Sequence, residues 1–223
     1  MHLLFFENDY CRGVVAGIES IDLAETAFLS VSELQQLQRI KNRSYRQEWQ
    51  VARYCAKMLS GIPQWDWTEI DIVSRNNKMK GIRPVLYFHG EKFGRDLTLS
   101  HAGGFALACL AKQEEQQIGC DIVPENSINN AVIRRFFLPK EQHGIPEEIW
   151  AVKETAYKAA NENIGFQPLH WQTEQVGEHQ YICINNTGTN TVCSDKRFVH
   201  TVVFRHAHCV LATGYKYSTP RVG

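Results

Sequence analysis

The sequence predicts a mixed α/β (α+β) fold made of two similar halves. Apolar residues recur at helical spacing in several stretches, and short apolar runs between Asn, Gly and Thr turns indicate strands. Both halves run from helices to strands, and they meet near residue 112. We therefore expect an N-terminal subdomain over residues 1–111 and a C-terminal subdomain over residues 112–223.

The composition excludes several classes of protein. The chain has 223 residues, of which 43% are hydrophobic and 22% charged, and its formal net charge is zero, so a generally basic nucleic-acid-binding protein is not expected. The sequence contains no run of about 18 apolar residues, so no membrane span is predicted. The apolar stretch at the start lacks the basic residues of a signal peptide. Seven scattered cysteines without a Cys-x-x-Cys pair favour buried thiols in a reducing compartment. We expect a cytoplasmic protein, and a monomer.

The first half is predicted to begin with a strand at residues 3–6, followed by two helices. Ser30-Val31-Ser32-Glu33 is a capping box and predicts the start of the first helix. The second helix is predicted over about residues 44–59 and has an apolar stripe. Its other side carries Arg46, Arg53 and Lys57. This basic face is either a solvated surface or an anion site.

An aspartate in an apolar strand is the first candidate functional residue. Residues 97–111 and 118–123 are two apolar runs separated by a polar turn, and together they predict a hairpin. Asp121 interrupts the second run. A carboxylate in such a position is costly unless it is paired, hydrogen-bonded or bound to a metal.

The helix predicted around residues 150–158 is the second candidate region. Pro146 and the two glutamates after it are typical of a helix start. Trp150, Glu154 and Lys158 are four residues apart and so lie on one face, with an apolar face opposite. By itself the Glu–Lys pair is more typical of an exposed surface pair worth a few tenths of a kcal/mol, and only the rest of the chain favours a functional role.

Taken together, these residues indicate phosphoryl-type chemistry. An Asp and a Glu can hold Mg²⁺ when substrate phosphates and water complete its octahedron. Lysines and a histidine nearby can bind further phosphate charge. The residues concerned are Ser100, His101, Asp121, Lys153, Glu154 and Lys158.

The order of these motifs resembles the surfactin-type 4′-phosphopantetheinyl transferases. That family has a Ser-His strand entry, a Gly-x-Asp-x-Glu strand and a Trp-x-x-Lys-Glu-x-x-x-Lys helix. The corresponding segments here are Ser100-His101, Gly119-Cys120-Asp121-Ile122-Val123 and Trp150-Ala-Val-Lys153-Glu154-Thr-Ala-Tyr-Lys158. Weaker similarities are the basic second helix, the Arg83-Pro84 turn, and Arg134-Arg-Phe-Phe137 followed by Glu141. The resemblance covers roughly residues 40 to 165.

The resemblance implies two halves related by a pseudo-twofold axis, with the active site between them. It also implies transfer of the phosphopantetheine arm of coenzyme A to a serine of an acyl or peptidyl carrier protein, with release of 3′,5′-ADP. Asp121 and Glu154 would hold Mg²⁺, Glu154 would also be the base, and Lys158 would neutralise or protonate the leaving phosphate. The residues expected to bind coenzyme A are Arg46, Arg53, Arg83, Ser100, His101 and Lys153.

Two departures from the family pattern leave alternatives open. Val123 stands where the family has the glutamate of Gly-x-Asp-x-Glu, so one metal ligand is missing, and Ile82 replaces a glycine. The first interpretation is an active transferase, with water in place of the missing ligand. The second is a non-catalytic relative that binds coenzyme A or a carrier protein. The third is an unrelated Mg²⁺-dependent phosphohydrolase.

Overall fold

The structure is a computed structural model that describes residues 3–22, 24–76, 81–160, 165–186 and 198–217. The chain divides into two compact units, Met1–Gln116 and Gln117–Gly223. Helices and three antiparallel sheets occur together, which confirms the mixed α+β class.

The first unit contains two helices and two sheets. Its elements are β1 (Leu3–Glu7), β2 (Cys11–Gly17), α1 (Val31–Arg39), α2 (Arg43–Ser60), β3 (Ile70–Arg75), β4 (Gly81–Phe88), β5 (Glu91–Lys92), β6 (Leu97–Ala102) and β7 (Phe105–Ala111). One sheet has the strand order β1-β2-β7-β6 and the other β3-β4-β5. Helix α2 packs on β7 and β2, so the core of this unit lies between that helix and the larger sheet.

Local sequence signals fix the ends of both helices of the first unit. Ser30 and Glu33 form the predicted capping box at the start of α1. The side chain of Asn42 accepts a hydrogen bond from Tyr45 N–H at the start of α2. Gly61 ends α2 with a φ of 75°, a left-handed conformation that favours glycine. The second predicted helix is therefore confirmed to within a residue at each end.

The predicted hairpin between residues 97–111 and 118–123 is wrong. Residues 97–111 form a hairpin by themselves, because Gly103 and Gly104 adopt φ angles of 61° and 81° and turn the chain between β6 and β7. Strand β7 lies between β2 and β6, and residues 118–124 pair with a strand near the C-terminus.

The second unit is one five-stranded sheet with helices. Its elements are β8 (Ile118–Pro124), α3 (Asn130–Phe136), α4 (Pro146–Ala160), β9 (Trp171–Gly177), β10 (Gln180–Asn185), β11 (Phe198–His206) and β12 (Cys209–Tyr217). The strand order is β8-β12-β11-β10-β9, and every neighbouring pair is antiparallel. Helix α4 packs across β8 and β12. The prediction for α4 is confirmed, including its buried face of Val152, Ala156, Ala159 and Ala160.

The described cysteines are buried thiols, as the sequence indicated. Cys11, Cys55, Cys109, Cys120, Cys183 and Cys209 are free and buried. Cys193 lies outside the described residues. Within the ranges given above, no helix has the length and apolar character needed to cross a membrane.

Candidate functional site

Strand β8 and helix α4 bring Asp121, Glu154 and Lys158 together in the second unit. Asp121 is buried, at 6% exposure. The ammonium of Lys158 donates hydrogen bonds to Asp121 Oδ1 at 2.7 Å and to the Cys120 carbonyl oxygen at 3.0 Å. The Lys158 side chain is 26% exposed, so this cluster, which we call the Asp–Glu–Lys site, has contact with solvent.

A glycine allows the helix to approach the strand this closely. A Cβ atom added to Gly119 would overlap the carbonyl oxygen of Thr155 and lie 2.8 Å from the backbone nitrogen of Ala159. The obstructing atoms belong to the backbone of α4 and cannot move aside. Gly119 therefore sets the short distance between β8 and α4 that lets Lys158 reach Asp121.

Burial and charge interactions within the site shift the pKa values of Glu154 and Lys158. Burial, and then the negative charge of Asp121, raise the pKa of Glu154 to about 7, against the opposing effect of Lys158. Burial alone would lower the pKa of Lys158, but the charges of Asp121 and Glu154 outweigh it and the pKa is raised. Lys158 therefore stays charged at neutral pH. Two partly desolvated carboxyl groups share one ammonium, and additional positive charge would ionise Glu154 fully.

These residues fit a Mg²⁺ ion that takes most of its ligands from substrate and water. Asp121 and Glu154 supply hard oxygen donors, and Mg²⁺ is commonly held by one or two carboxylates plus phosphates. Val123 is 4% exposed and packs in the apolar cluster of this unit, so it offers no ligand. Among the described ranges, no group of three or more His, Cys, Asp or Glu side chains is arranged to hold a metal.

Lys153 does not share the exposed face of its neighbours. Its side chain is fully buried, and its ammonium lies 2.6 Å from Glu141 Oε2. It also donates to the carbonyl oxygens of Pro168 and Phe136. This position favours a structural role over the phosphate contact expected from the sequence, because the ammonium is already enclosed by protein acceptors.

In the first unit, the predicted basic face of α2 is largely buried. Arg46 is exposed, whereas Arg53 is 2% exposed and Lys57 fully buried. Arg53 donates to Ser74 Oγ at 2.6 Å, and its guanidinium carbon lies 3.9 Å from the Trp49 ring centroid. Its Nε atom is buried and has no hydrogen-bond partner among the described residues. Burial lowers the pKa of Arg53 to about 10, so it remains a cation at neutral pH.

The other residues expected to bind coenzyme A are divided between two places in this unit. His101 Nδ1 lies 3.2 Å from Glu48 Oε2, and the ring packs edge-on against Tyr45 at 5.0 Å, so β6 and α2 meet here. Ser100 precedes His101 and is buried. Arg83 forms an ion pair with Asp96 and so already has a carboxylate partner.

Sequence reasoning missed Glu48 and the pairing role of Glu141. Glu48 holds both His101 and the backbone N–H of Gly104. Its position next to Trp49, at the edge of the apolar stripe, was an available signal.

Glu141 Oε2 accepts from the N–H of Leu138, and that three-residue spacing is typical of a capping glutamate.

No family model matches the chain, and neither does any curated protein.

Proposed function

We propose that this chain is a 4′-phosphopantetheinyl transferase. It moves the phosphopantetheine arm of coenzyme A to a serine of an acyl or peptidyl carrier protein and releases 3′,5′-ADP. The observation that carries the proposal is the Asp–Glu–Lys site, in which a buried carboxylate, a carboxyl group with a raised pKa and a charged ammonium meet on β8 and α4.

Each residue of the Asp–Glu–Lys site has a role in this reaction. A serine hydroxyl is a weak nucleophile, and the Glu154 carboxylate, ionised beside a bound cation, is a suitable acceptor for its proton. The exposed part of Lys158 stabilises negative charge on the leaving phosphate. Asp121 and Glu154 would hold Mg²⁺, which neutralises pyrophosphate charge when bound.

The first unit supplies the anion-binding residues of the proposal. A buried cationic guanidinium whose Nε has no hydrogen-bond partner among the described residues is costly, and a phosphate oxygen is a suitable acceptor for it. Arg53 is therefore the strongest candidate for a phosphate contact, with Arg46, Ser100 and His101 in supporting roles. Arg83 is a weaker candidate because of its pairing with Asp96. The pseudo-twofold relation of the halves and a cytoplasmic, monomeric state belong to the same proposal.

A non-catalytic relative that binds coenzyme A or a carrier protein is the second candidate. Two observations favour it: Val123 is buried in apolar surroundings, and the Lys158 ammonium is bonded to the carboxylate expected to hold metal. A mere binding protein, however, has little need for a carboxyl group with a raised pKa beside a charged lysine.

Mass spectrometry of apo carrier proteins distinguishes the two candidates. The carrier proteins are incubated with this protein, coenzyme A and Mg²⁺, with a metal-free reaction as the control. A gain of one phosphopantetheine that requires the metal supports the transferase. Coenzyme A binding without any gain in carrier-protein mass supports the binding protein.

A further inference from the structure

Each unit contains a buried lysine–glutamate pair, and the first is formed by Lys57 and Glu33. The ammonium of Lys57 lies 2.6 Å from Glu33 Oε2, and both side chains are fully buried. The ammonium also donates to three carbonyl oxygens, those of Phe28, Trp67 and Ile70. Glu33 in turn accepts from the N–H of Ser30, at the start of α1, and from the N–H of Ile72 on β3.

The second buried pair is formed by Lys153 and Glu141 and repeats most of these contacts, with two carbonyl acceptors in place of three among the described residues. The ammonium again lies 2.6 Å from Oε2 of the glutamate, with both side chains buried. It donates to the carbonyl oxygens of Phe136 and Pro168. Glu141 accepts from the N–H of Leu138, at the start of its own helical turn, and from the N–H of Thr173 on β9.

The spacing of the contacts is the same in both units. Phe28, whose carbonyl accepts from Lys57, precedes Glu33 by five positions, and Phe136 precedes Glu141 by the same number. Trp67 precedes the strand residue Ile72 by five positions, and Pro168 likewise precedes Thr173. Three residues before each lysine, an aromatic ring packs edge-on against the phenylalanine: Tyr54 on Phe28 at 5.4 Å and Trp150 on Phe136 at 6.0 Å. This agreement indicates two copies of one arrangement.

The copies differ at the position after the lysine. Lys57 is followed by Met58, whereas Lys153 is followed by Glu154. On α4, Thr155 lies nearly opposite Lys153 around the helix. The backbone carbonyl of Thr155 is the group that approaches Gly119. Glu154 therefore lies between two points at which α4 is fixed: the second buried pair on one side and β8 on the other.

We propose that Lys153 and Glu141 are positioning residues for Glu154 and Lys158, and that Lys57 and Glu33 form the copy of this device without a catalytic neighbour. The proposal rests on the transferase function proposed above. The second buried pair ties α4 to Leu138, Pro168 and β9 at a point one residue from Glu154. A shift or rotation of α4 would leave a buried charge unpaired, so the pair opposes movement of the base and the lysine. Lys153 thereby acts without touching substrate.

Matched variants of the two pairs test the proposal. Lys153→Met and Lys57→Met each remove a fully buried ammonium, and both are expected to lower Tm. At a temperature where circular dichroism shows both variants folded, Lys153→Met is expected to lower kcat about 10²-fold, the effect of a small misplacement of catalytic groups. In Lys153→Met, the KM for coenzyme A is expected to stay near the parent value. In Lys57→Met, kcat is expected to stay near the parent value. If either methionine variant does not fold, the same comparison is made with Glu141→Gln and Glu33→Gln, which change the side chain less.

A second readout does not depend on activity. The ammonium resonance of Lys158 is assigned by its loss in Lys158→Met, and its hydrogen exchange is measured by ¹⁵N NMR. Exchange is expected to become faster in Lys153→Met and to stay unchanged in Lys57→Met. Equal effects of the two substitutions on exchange, or none, would overturn the positioning role. A parent protein without transfer activity would refute the proposed function instead, and the exchange rates would still decide the role of Lys153.

Discussion

The ammonium nitrogen of Lys158 lies 2.7 Å from Oδ1 of Asp121, the carboxylate proposed to hold Mg²⁺. A bound metal ion and this ammonium would therefore compete for the same carboxylate. The pair already neutralises one of the two carboxyl groups of the Asp–Glu–Lys site, which reduces its attraction for a cation when no phosphate is bound.

Lys158→Met is expected to tighten metal binding and to slow phosphopantetheine transfer. Removal of a unit charge this close to Asp121 should strengthen Mn²⁺ or Mg²⁺ binding to the free protein at least ~10-fold. The rate should fall because the leaving phosphate loses a stabilising charge. Calorimetry with Mn²⁺ and a transfer assay measure the two effects. The control is Lys140→Met, at an exposed position; equal metal affinity in all three proteins would contradict the competition.

Glu154→Gln is expected to abolish most of the transfer activity. Glutamine keeps the shape of the side chain but cannot accept the serine proton, and general base catalysis contributes about 10²–10⁴-fold. The measurement is single-turnover transfer to a carrier protein, with circular dichroism to verify folding. Glu147→Gln, on the same helix, is the control. If a folded Glu154→Gln protein transfers at the parent rate, Glu154 has no catalytic role and the Glu–Lys pair is only a surface ion pair.

The stability of the metal-free protein should depend on pH through Glu154. Its pKa is about 7 in the folded protein, above the ordinary value of 4.5, because of burial and the charge of Asp121. The folded state therefore binds the proton more tightly than the unfolded state. The resulting stability is fully present below pH 4.5 and is lost as the pH rises through 7.

Thermal unfolding of the parent and of Glu154→Gln across this pH range checks the expectation. Glutamine has no charge to desolvate, so the variant should gain Tm relative to the parent as the pH rises. Parallel curves for the two proteins would mean that Glu154 has an ordinary pKa.

Val123→Glu is expected to make both activity and stability respond more strongly to Mg²⁺. Val123 and Asp121 are two residues apart on β8, so their side chains point to the same face of the sheet. A carboxylate there restores the missing ligand and should lower the Mg²⁺ concentration for half-maximal activity. Without metal the same carboxylate is buried in an apolar cluster and should lower Tm.

Val123→Gln separates the metal effect from the packing effect. It introduces a side chain of nearly the same size without the charge, so it should lower Tm with no rescue by Mg²⁺. If Val123→Glu needs as much Mg²⁺ as the parent for activity, the absence of a third carboxylate is not what limits metal binding.

Arg53→Ala is expected to weaken coenzyme A binding by about 1–3 kcal/mol, the range for a charge-assisted hydrogen bond. The basis for this expectation is the buried guanidinium, whose Nε lacks a hydrogen-bond partner within the part of the chain that the structure describes. Calorimetry measures the affinity, with Arg12→Ala on the exposed side of β2 as the control. Unchanged affinity in single alanine variants of Arg46, Arg53, Arg83 and His101 would exclude these residues as the binding site.

The parts of the fold that depend on local pattern could be predicted from the sequence. The capping box at Ser30, the extent of α2 and the start of α4 follow from signals within one or two helical turns, whereas the predicted end of α4 at Asn163 lies outside the described residues. Asp121 was identified because a carboxylate in an apolar strand needs a partner, and Lys158 is that partner. Strand pairing was not predictable in the same way, because β8 pairs with β12, which lies far along the chain.

The burial of charged residues was the main feature that could not be predicted. Helical spacing placed Arg53 and Lys57 on a basic face that was either solvated or anion-binding, and the resemblance to the transferases implied a phosphate contact for Lys153. Whether a lysine is buried depends on a glutamate elsewhere in the chain, as Glu33 is for Lys57 and Glu141 for Lys153. The helical pattern contains no information about that partner.

The two buried pairs also restrict how this sequence can change during evolution. Replacing one member alone leaves its partner as an unpaired buried charge, at a cost of about 3–5 kcal/mol, which is a large part of the stability of an ordinary domain. Replacing both members by apolar residues of similar volume is often neutral or stabilising. Descendants therefore reach an apolar version only through an intermediate of low stability, and substitutions at positions 33 and 57, or at 141 and 153, should be found together.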